Sequence, residues 1–390
     1  EEYARLQTEF NAWKARGLSL NMARGKPGTA QLDLLSDFFS LMQRPEDFVS
    51  DGIDVRNYGE LSGIPAARKL SAEILGCKPE QVFVGGNASL QLMYDTISKA
   101  YTHGLLHSPR PWCREEAVKW LCPSPGYDRH FKITEVFGFQ LITIPMTAAG
   151  PDMDAVEEAV KDPAVKGIWC VPKYSNPTGT SYSDATVRRF ARLKPAAPDF
   201  RIYWDNAYGV HHLYDEDQDH LIEILAECKR AGNPDLVYKF SSTSKISFPG
   251  SGIAAIATSH NNLEDIEKQL KFQTIGHDKV NQLRHVRFFG DIHGMCEHMR
   301  LHADVMRPKF EAVTSILERE LGGLEIASWT TPKGGYFISF DSLDGCAKSI
   351  VARCKKAGLV MTGAGATYPY GKDPHDSNIR IAPSYPPLGD

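Results

Sequence analysis

Short apolar runs recur through the middle of the chain at 81–86, 117–122, 140–144, 167–171, 200–204, 235–240 and 252–258, each rich in Val, Ile, Phe, Trp, Tyr or small apolar residues. Runs of this length bounded by Gly, Pro, Asn or Ser read as buried strands. Between them lie helical patterns, such as 152–161 and the helix that starts at Pro65 and ends near Gly76. Alternation of this kind predicts an α/β fold, with a mostly parallel sheet covered by helices on both faces. Before it, Tyr3, Leu6, Phe10 and Trp13 stand at helical spacing and predict an amphipathic opening helix. After it comes a helix-rich stretch from 260 to 321. A strand at 335–340, a helix at 343–357 and a strand at 378–383 then form a smaller α+β unit.

Composition narrows the partners. The chain has 390 residues, of which 42% are hydrophobic, enough for a sizeable core and two domains. Lys+Arg 44 against Asp+Glu 48 gives a net charge of −4 without a basic block, so a small molecule is expected rather than nucleic acid. No apolar run approaches the roughly 20 residues that span a bilayer, and the first residues lack a signal-peptide pattern. The 8 cysteines are scattered with no C-x-x-C pair, as in the free thiols of a cytoplasmic protein. His298 and His302 stand at helical spacing without a carboxylate or cysteine at ligand spacing, so no metal is expected.

The polar residues at strand ends carry the chemistry. Lys245 follows the run 235–240 within Ser242-Thr243-Ser244-Lys245, and Pro249-Gly250 closes the turn. A partly desolvated lysine there suits Schiff-base chemistry with an aldehyde; a solvated loop lysine is the alternative. Gly85-Gly86-Asn87-Ala88-Ser89 links a strand to a helix N-terminus, which suits either a phosphate or an ordinary cap. Tyr127, after Pro123-Ser124-Pro125-Gly126, could stack on a flat ring or lie on the surface. Asn176-Pro177-Thr178-Gly179 and Asp205-Asn206-Ala207-Tyr208 end two further strands. A carboxylate ending an apolar strand needs a cationic or hydrogen-bonding group facing it.

Taken together, Asn176-Pro177-Thr178-Gly179, Asp205-Asn206-Ala207-Tyr208, Ser242-Thr243-Ser244-Lys245 and Arg380 resemble the fold-type I pyridoxal phosphate aminotransferases, in the same order and over nearly the whole chain. Ala23-Arg24-Gly25-Lys26-Pro27, Gly86-Asn87-Ala88-Ser89-Leu90 and Lys245-Ile246-Ser247-Phe248-Pro249-Gly250 look like the type Ic aspartate aminotransferase, MocR-like subgroup. The resemblance implies a seven-stranded-type sheet. It also implies a large cofactor-binding domain at 40–275, and a small domain of 1–39 plus 276–390 that closes over the site.

Carried over residue by residue, Lys245 would bind the cofactor aldehyde and shuttle the proton. Asp205 would pair with the ring nitrogen, Asn176 and Tyr208 would bond the phenolic oxygen, and Tyr127 would stack on the ring. Gly86, Asn87, Ala88, Ser89, Ser242 and Ser244 would cradle the phosphate, with Tyr58 reaching in from the neighbouring subunit of a homodimer. Arg380 would clamp the substrate α-carboxylate beside Asn176, Gly25 and Lys26. Arg129 would meet a second carboxylate, with Arg24 and Lys26 as runners-up. One departure is Ile253, eight positions after the lysine, where the main subgroup places a phosphate-binding arginine. The expected activity is ping-pong transamination between an amino acid, aspartate favoured, and 2-oxoglutarate. A kynurenine or aromatic aminotransferase, a C–S lyase and a non-catalytic ligand-sensing regulator stand as alternatives.

Overall fold

A computed structural model describes residues 1–389. Seven strands build the central sheet: β1 (Val82–Val84), β2 (Lys119–Ser124), β3 (Gln140–Thr147), β4 (Val165–Cys170), β5 (Arg201–Asp205), β6 (Val237–Ser242) and β7 (Ala254–Ala257). Their order across the sheet is β1-β7-β6-β5-β4-β2-β3, and Gly150–Pro151 adds a two-residue return on the β3 edge. From β3 to β6 every neighbouring pair is parallel. β7 runs antiparallel to both β6 and β1. The reason lies in the connection: no helix separates Ser242 from Ala254, and without a helical crossover the chain can only turn back. Lys245 rides on that return.

Side chains alternate between two cores. Val82, Ile168, Ile202 and Trp204 pack on one face of the sheet, while Phe83, Trp169, Tyr203 and Tyr238 pack on the other. Both faces are covered by helices, so β5 is buried from end to end. The smaller unit is a three-stranded antiparallel sheet of β8 (Ala327–Trp329), β9 (Ile338–Ser342) and β10 (Asn378–Ile381). A 30-residue helix, Ile292–Leu321, joins the units. Met295 and Met299 near its start pack with Ile246 beside the lysine turn, and Met306 and Phe310 further along pack with the small sheet. The expected border near 275 falls between two helices; Leu283, on the second of them (Lys279–Phe289), shares the core of the large sheet.

The opening helix forms over Glu2–Ala15, yet none of its residues is buried, and Tyr3 is 74% exposed. Its apolar positions find no cover within this chain. Gly76 ends the Pro65–Leu75 helix with φ of 65°, the left-handed cap expected of glycine there. All eight cysteines are free; Cys122, Cys170 and Cys228 are buried and Cys113 is exposed. Among the described residues no helix is long and apolar enough to cross a membrane. No group of three or more His, Cys, Asp or Glu residues among them is placed to hold a metal ion.

His285, His298 and His302 are buried behind the turn that carries Lys245. Burial holds His285 down to about 4 and His302 down to about 3, so the folded chain keeps both neutral. In the unfolded chain each takes up a proton near its ordinary value of 6.5, so acid favours unfolding. Below that value stability should fall by up to about 1.4 kcal/mol per pH unit for each, until the folded value is reached. Urea denaturation should therefore give a lower midpoint at pH 5 than at pH 7, and replacing His285 by Asn should flatten the dependence.

Candidate active site

The carboxyl ends of the parallel strands open on a cavity of about 220 Å³, lined by Tyr127, Asn176, Asp205, Tyr208, Ser242, Ser244 and Lys245 together with Ala88, Ser89 and Leu90. The last three lie at the start of the Ser89–His103 helix, whose first N–H groups have no partner within the helix. Strand ends place chemistry here because the loops that follow are free to vary while the sheet holds them.

Lys245 sits on a tight turn in which Ile246 N and Ser247 N donate to Thr243 O at 2.9 and 2.7 Å. The hydroxyls of Thr243 and Ser247 lie 3.1 and 2.7 Å from His285 Nε2, and His285 Nδ1–H donates to Asn281 O at 2.8 Å. That buried cluster fixes the turn from behind. In front, Lys245 Nζ lies 5.1 Å from the Tyr208 ring and 5.9 Å from the Tyr336 ring. Burial lowers the proton affinity of the Lys245 amine, Asp205 opposes this, and Arg380 adds to it. No carboxylate among the described residues lies within ion-pair distance of Nζ.

Asp205 ends β5 and is buried. His130 Nε2 donates to its Oδ2 at 3.0 Å, and the His130 ring stacks on Trp169 at 4.6 Å and 14°. Its other oxygen, Oδ1, is buried without a partner. A carboxylate oxygen kept dry and unpaired at a cavity wall fits a donor that arrives with a ligand. Sequence reasoning did not single out His130. The signal was there: His130 lies three residues after Tyr127, hence on the same helix face.

Arg380 is buried in β10 and crosses to the large unit. Its Nη1 donates to Asp128 Oδ1 at 2.9 Å and to Asn176 Oδ1 at 3.2 Å, while Nε reaches Thr362 Oγ1 at 3.3 Å. Phe337 covers its plane at 4.9 Å. Gly25 packs on that same Phe337 ring so closely that a Cβ would overlap it. The Asn176-Pro177 peptide is cis.

Other expected residues lie elsewhere. Arg129 is exposed and does not line the cavity. Each helix residue turns the side chain by about 100°. With Tyr127 and His130 facing inward, Arg129 faces out, and Asp128 is the charged neighbour that reaches Arg380. Arg24 and Lys26 are exposed too, with Lys26 Nζ lying 3.8 Å over the Tyr385 ring. Gly86 and Asn87 stand just behind the cavity wall. Gly86 O accepts from Ala254 N at 2.8 Å, and Asn87 O accepts from Ser244 Oγ at 3.2 Å, which in turn accepts from Ser242 Oγ at 3.2 Å. Ile253 is buried in the main core, so hydroxyls and helix N–H groups form that end of the cavity. Tyr58 is 83% exposed, outside the cavity of its own chain.

A second buried chain also went unread in the sequence. Gly28 N–H donates to Gln31 Oε1 at 3.1 Å, and Gln31 Nε2 donates to Tyr336 Oη and meets His302 Nδ1, both at 3.0 Å. His302 Nε2 lies 3.0 Å from His298 Nε2, which lies 3.0 Å from Ile246 O, the carbonyl next to Lys245.

The family model for aspartate amino-transferase matches residues 1–390. An aspartate aminotransferase of Corynebacterium glutamicum is 46% identical over 383 residues, 98% of this chain and 88% of the relative. The crystal structure of an aspartate transaminase from the same organism superposes with a TM-score of 0.96 at 46% identity, covering 99% of this chain and 91% of that one. An α-aminoadipate aminotransferase from Thermus thermophilus, complexed with N-(5'-phosphopyridoxyl)-L-leucine, shares the fold at a TM-score of 0.76 and 19% identity, covering 97% of this chain and 90% of that one. The donor set fits pyridoxal phosphate: an amine for its aldehyde, an unpaired carboxylate oxygen for a protonated ring nitrogen, and hydroxyls with helix N–H groups for its phosphate.

The His130 contact is open to a direct test. Changing His130 to Phe keeps a ring on Trp169 but leaves both Asp205 oxygens unpaired. It should cost about 1–3 kcal/mol by chemical denaturation, and a fully retained stability would mean that Asp205 does not depend on this bond.

Proposed function

The chain belongs to the aspartate amino-transferase family, and from that premise we propose that it moves an amino group between aspartate and 2-oxoglutarate in two alternating half-reactions at this cavity. That it is a pyridoxal phosphate-dependent aminotransferase follows from the family and its close relatives. The observation that carries the assignment of residues is the pairing of one amine, Lys245, with one dry, unpartnered carboxylate oxygen, Asp205 Oδ1, on the wall of the same cavity.

Pyridoxal phosphate, when bound, supplies an aldehyde that takes up the amino group and a ring that accepts electrons. Lys245 is the amine that holds the aldehyde and, once released, carries the proton to and from the substrate α-carbon. Its lowered proton affinity supports that role, since a base must shed its proton near neutral pH. Asp205 keeps a proton on the ring nitrogen, and His130 fixes the angle of its carboxylate. Tyr208 and Asn176 serve the phenolic oxygen and Tyr127 covers the ring. Ala88, Ser89, Ser242 and Ser244 serve the phosphate, with Gly86 and Asn87 shaping their turn. Arg380 grips the substrate α-carboxylate, because a guanidinium matches it with two parallel bonds. Gly25 leaves room for the Phe337 ring that covers Arg380, and the three-stranded sheet with the far part of the Ile292–Leu321 helix acts as the closing unit, the Lys279–Phe289 helix staying with the large core. The exposed Tyr58 supports a homodimer in which it completes the phosphate end of the neighbouring site. Free thiols support a reducing, cytoplasmic setting.

Two experiments test this. The absorption of the bound cofactor should change on adding aspartate and return with 2-oxoglutarate, and the Lys245→Ala variant should fail to cycle. A wild-type spectrum indifferent to aspartate would sink the substrate assignment. For the second carboxylate, Arg129 stays the cation nearest Tyr127 in sequence. If it turns inward on closure, Arg129→Ala should raise the aspartate KM at least tenfold while leaving an aromatic donor unaffected; an equal effect on both donors removes it from the site.

A further inference from the structure

The hydrogen bonds of Arg380 leave a question about what the clamp holds before substrate arrives. Its Nη1 has two hydrogens, one on Asp128 Oδ1 at 2.9 Å and one on Asn176 Oδ1 at 3.2 Å. Its Nε is taken by Thr362 Oγ1 at 3.3 Å, and that hydroxyl donates onward to Ala23 O at 2.6 Å. Among the described residues only Nη2 is without a partner. A two-point grip needs two parallel N–H groups, so substrate must take at least one that is already in use.

Charge singles out which contact matters. Asn176 and Thr362 are neutral, whereas Asp128 forms the one ion pair of Arg380 among the described residues, with side chains 6% and 31% exposed for Arg380 and Asp128. The guanidinium therefore presents little net charge to an incoming carboxylate. The cations that might have compensated, Arg129, Arg24 and Lys26, are exposed and away from the cavity. The pair also crosses between units, from β10 to the first turn of the Asp128–Val136 helix.

We propose that Asp128 is an affinity-setting residue that competes with the substrate carboxylate for Arg380 and so sets how weakly carboxylates are held. This rests on the reading of Arg380 as the substrate clamp. On substrate binding the carboxylate takes the freed N–H of Nη1 together with Nη2, and Asp128 turns to solvent, to which it is already partly open. The contact lowers affinity for every carboxylate that uses the clamp, whatever the rest of the molecule carries.

The test is titration calorimetry of the cofactor-loaded enzyme with propionate and with succinate, in wild type, Asp128→Asn, Asp128→Ser and Arg380→Lys. Both Asp128 variants retain a side chain suited to the start of a helix. They should bind both acids at least threefold more tightly and lower the KM of the amino and oxo acids in step. Unchanged or weaker binding in both Asp128 variants would overturn the proposal, and would make Asp128 a support that orients Arg380. Tightening of succinate alone would also overturn it, since Asp128 would then act at the far end of the substrate. Arg380→Lys distinguishes the two levels. If it weakens both acids at least tenfold while the Asp128 variants do nothing, the competition fails and the clamp stands. If it changes neither acid, the clamp reading itself fails.

Discussion

The site depends on keeping a carboxylate and an amine buried in one cavity without letting them neutralise each other. Asp205 ends β5 and Lys245 follows the end of the neighbouring β6, where the carboxylate favours the charged amine, yet they form no ion pair. An uncompensated buried charge costs several kcal/mol, so each must be held by something other than its partner. For Asp205 that is the His130 bond and the stack on Trp169 behind it. For Lys245 it is the turn clasped by Thr243, Ser247 and His285.

The sheet supplies the rigidity. Because β5 and β6 are parallel and buried on both faces, their ends cannot shift without disturbing two cores at once. The antiparallel β7 then returns the lysine turn against the same sheet, where Ile253 N donates to Thr243 Oγ1 at 2.9 Å. The position of Ile253 thus serves the turn through its backbone while its side chain joins the core. The small unit packs on the large one through Tyr174, Tyr208 and Leu213 against Tyr336, Phe337 and Ile338, with Arg380 reaching across to Asp128 and Asn176.

Much of this was legible in the sequence, and for a physical reason. Lys245, Asp205, Asn176 and Tyr208 follow apolar runs directly, so the pattern that marks a strand also marks its end. Arg380 declared itself by lying between two isoleucines in a short strand. What stayed hidden were contacts across distance: Asp128 is 252 positions from Arg380, and His130 is 75 from Asp205. Adjacency to Tyr127 did not by itself bring Arg129 to the cavity wall, since two positions on along a helix the side chain faces another way. The direction of β7 was not legible, since apolar content does not tell a parallel strand from an antiparallel one. The opening helix shows the reverse error, because apolar spacing predicted a helix correctly but not what would cover it.

The chain from Gly28 to Ile246 has a sense of direction. Gly28 can only give a hydrogen, so Gln31 must turn its oxygen to it and its amide hydrogens to Tyr336 and His302. His302 Nδ1 is then a receiver, which leaves its own hydrogen on Nε2, while the Ile246 carbonyl, which can only accept, draws the hydrogen of His298 Nε2. The N–H groups of His302 and His298 therefore converge on the one Ile246 carbonyl, in the turn that carries Lys245. The turn beneath the amine is thus held by a buried line whose first link is set by the backbone of Gly28.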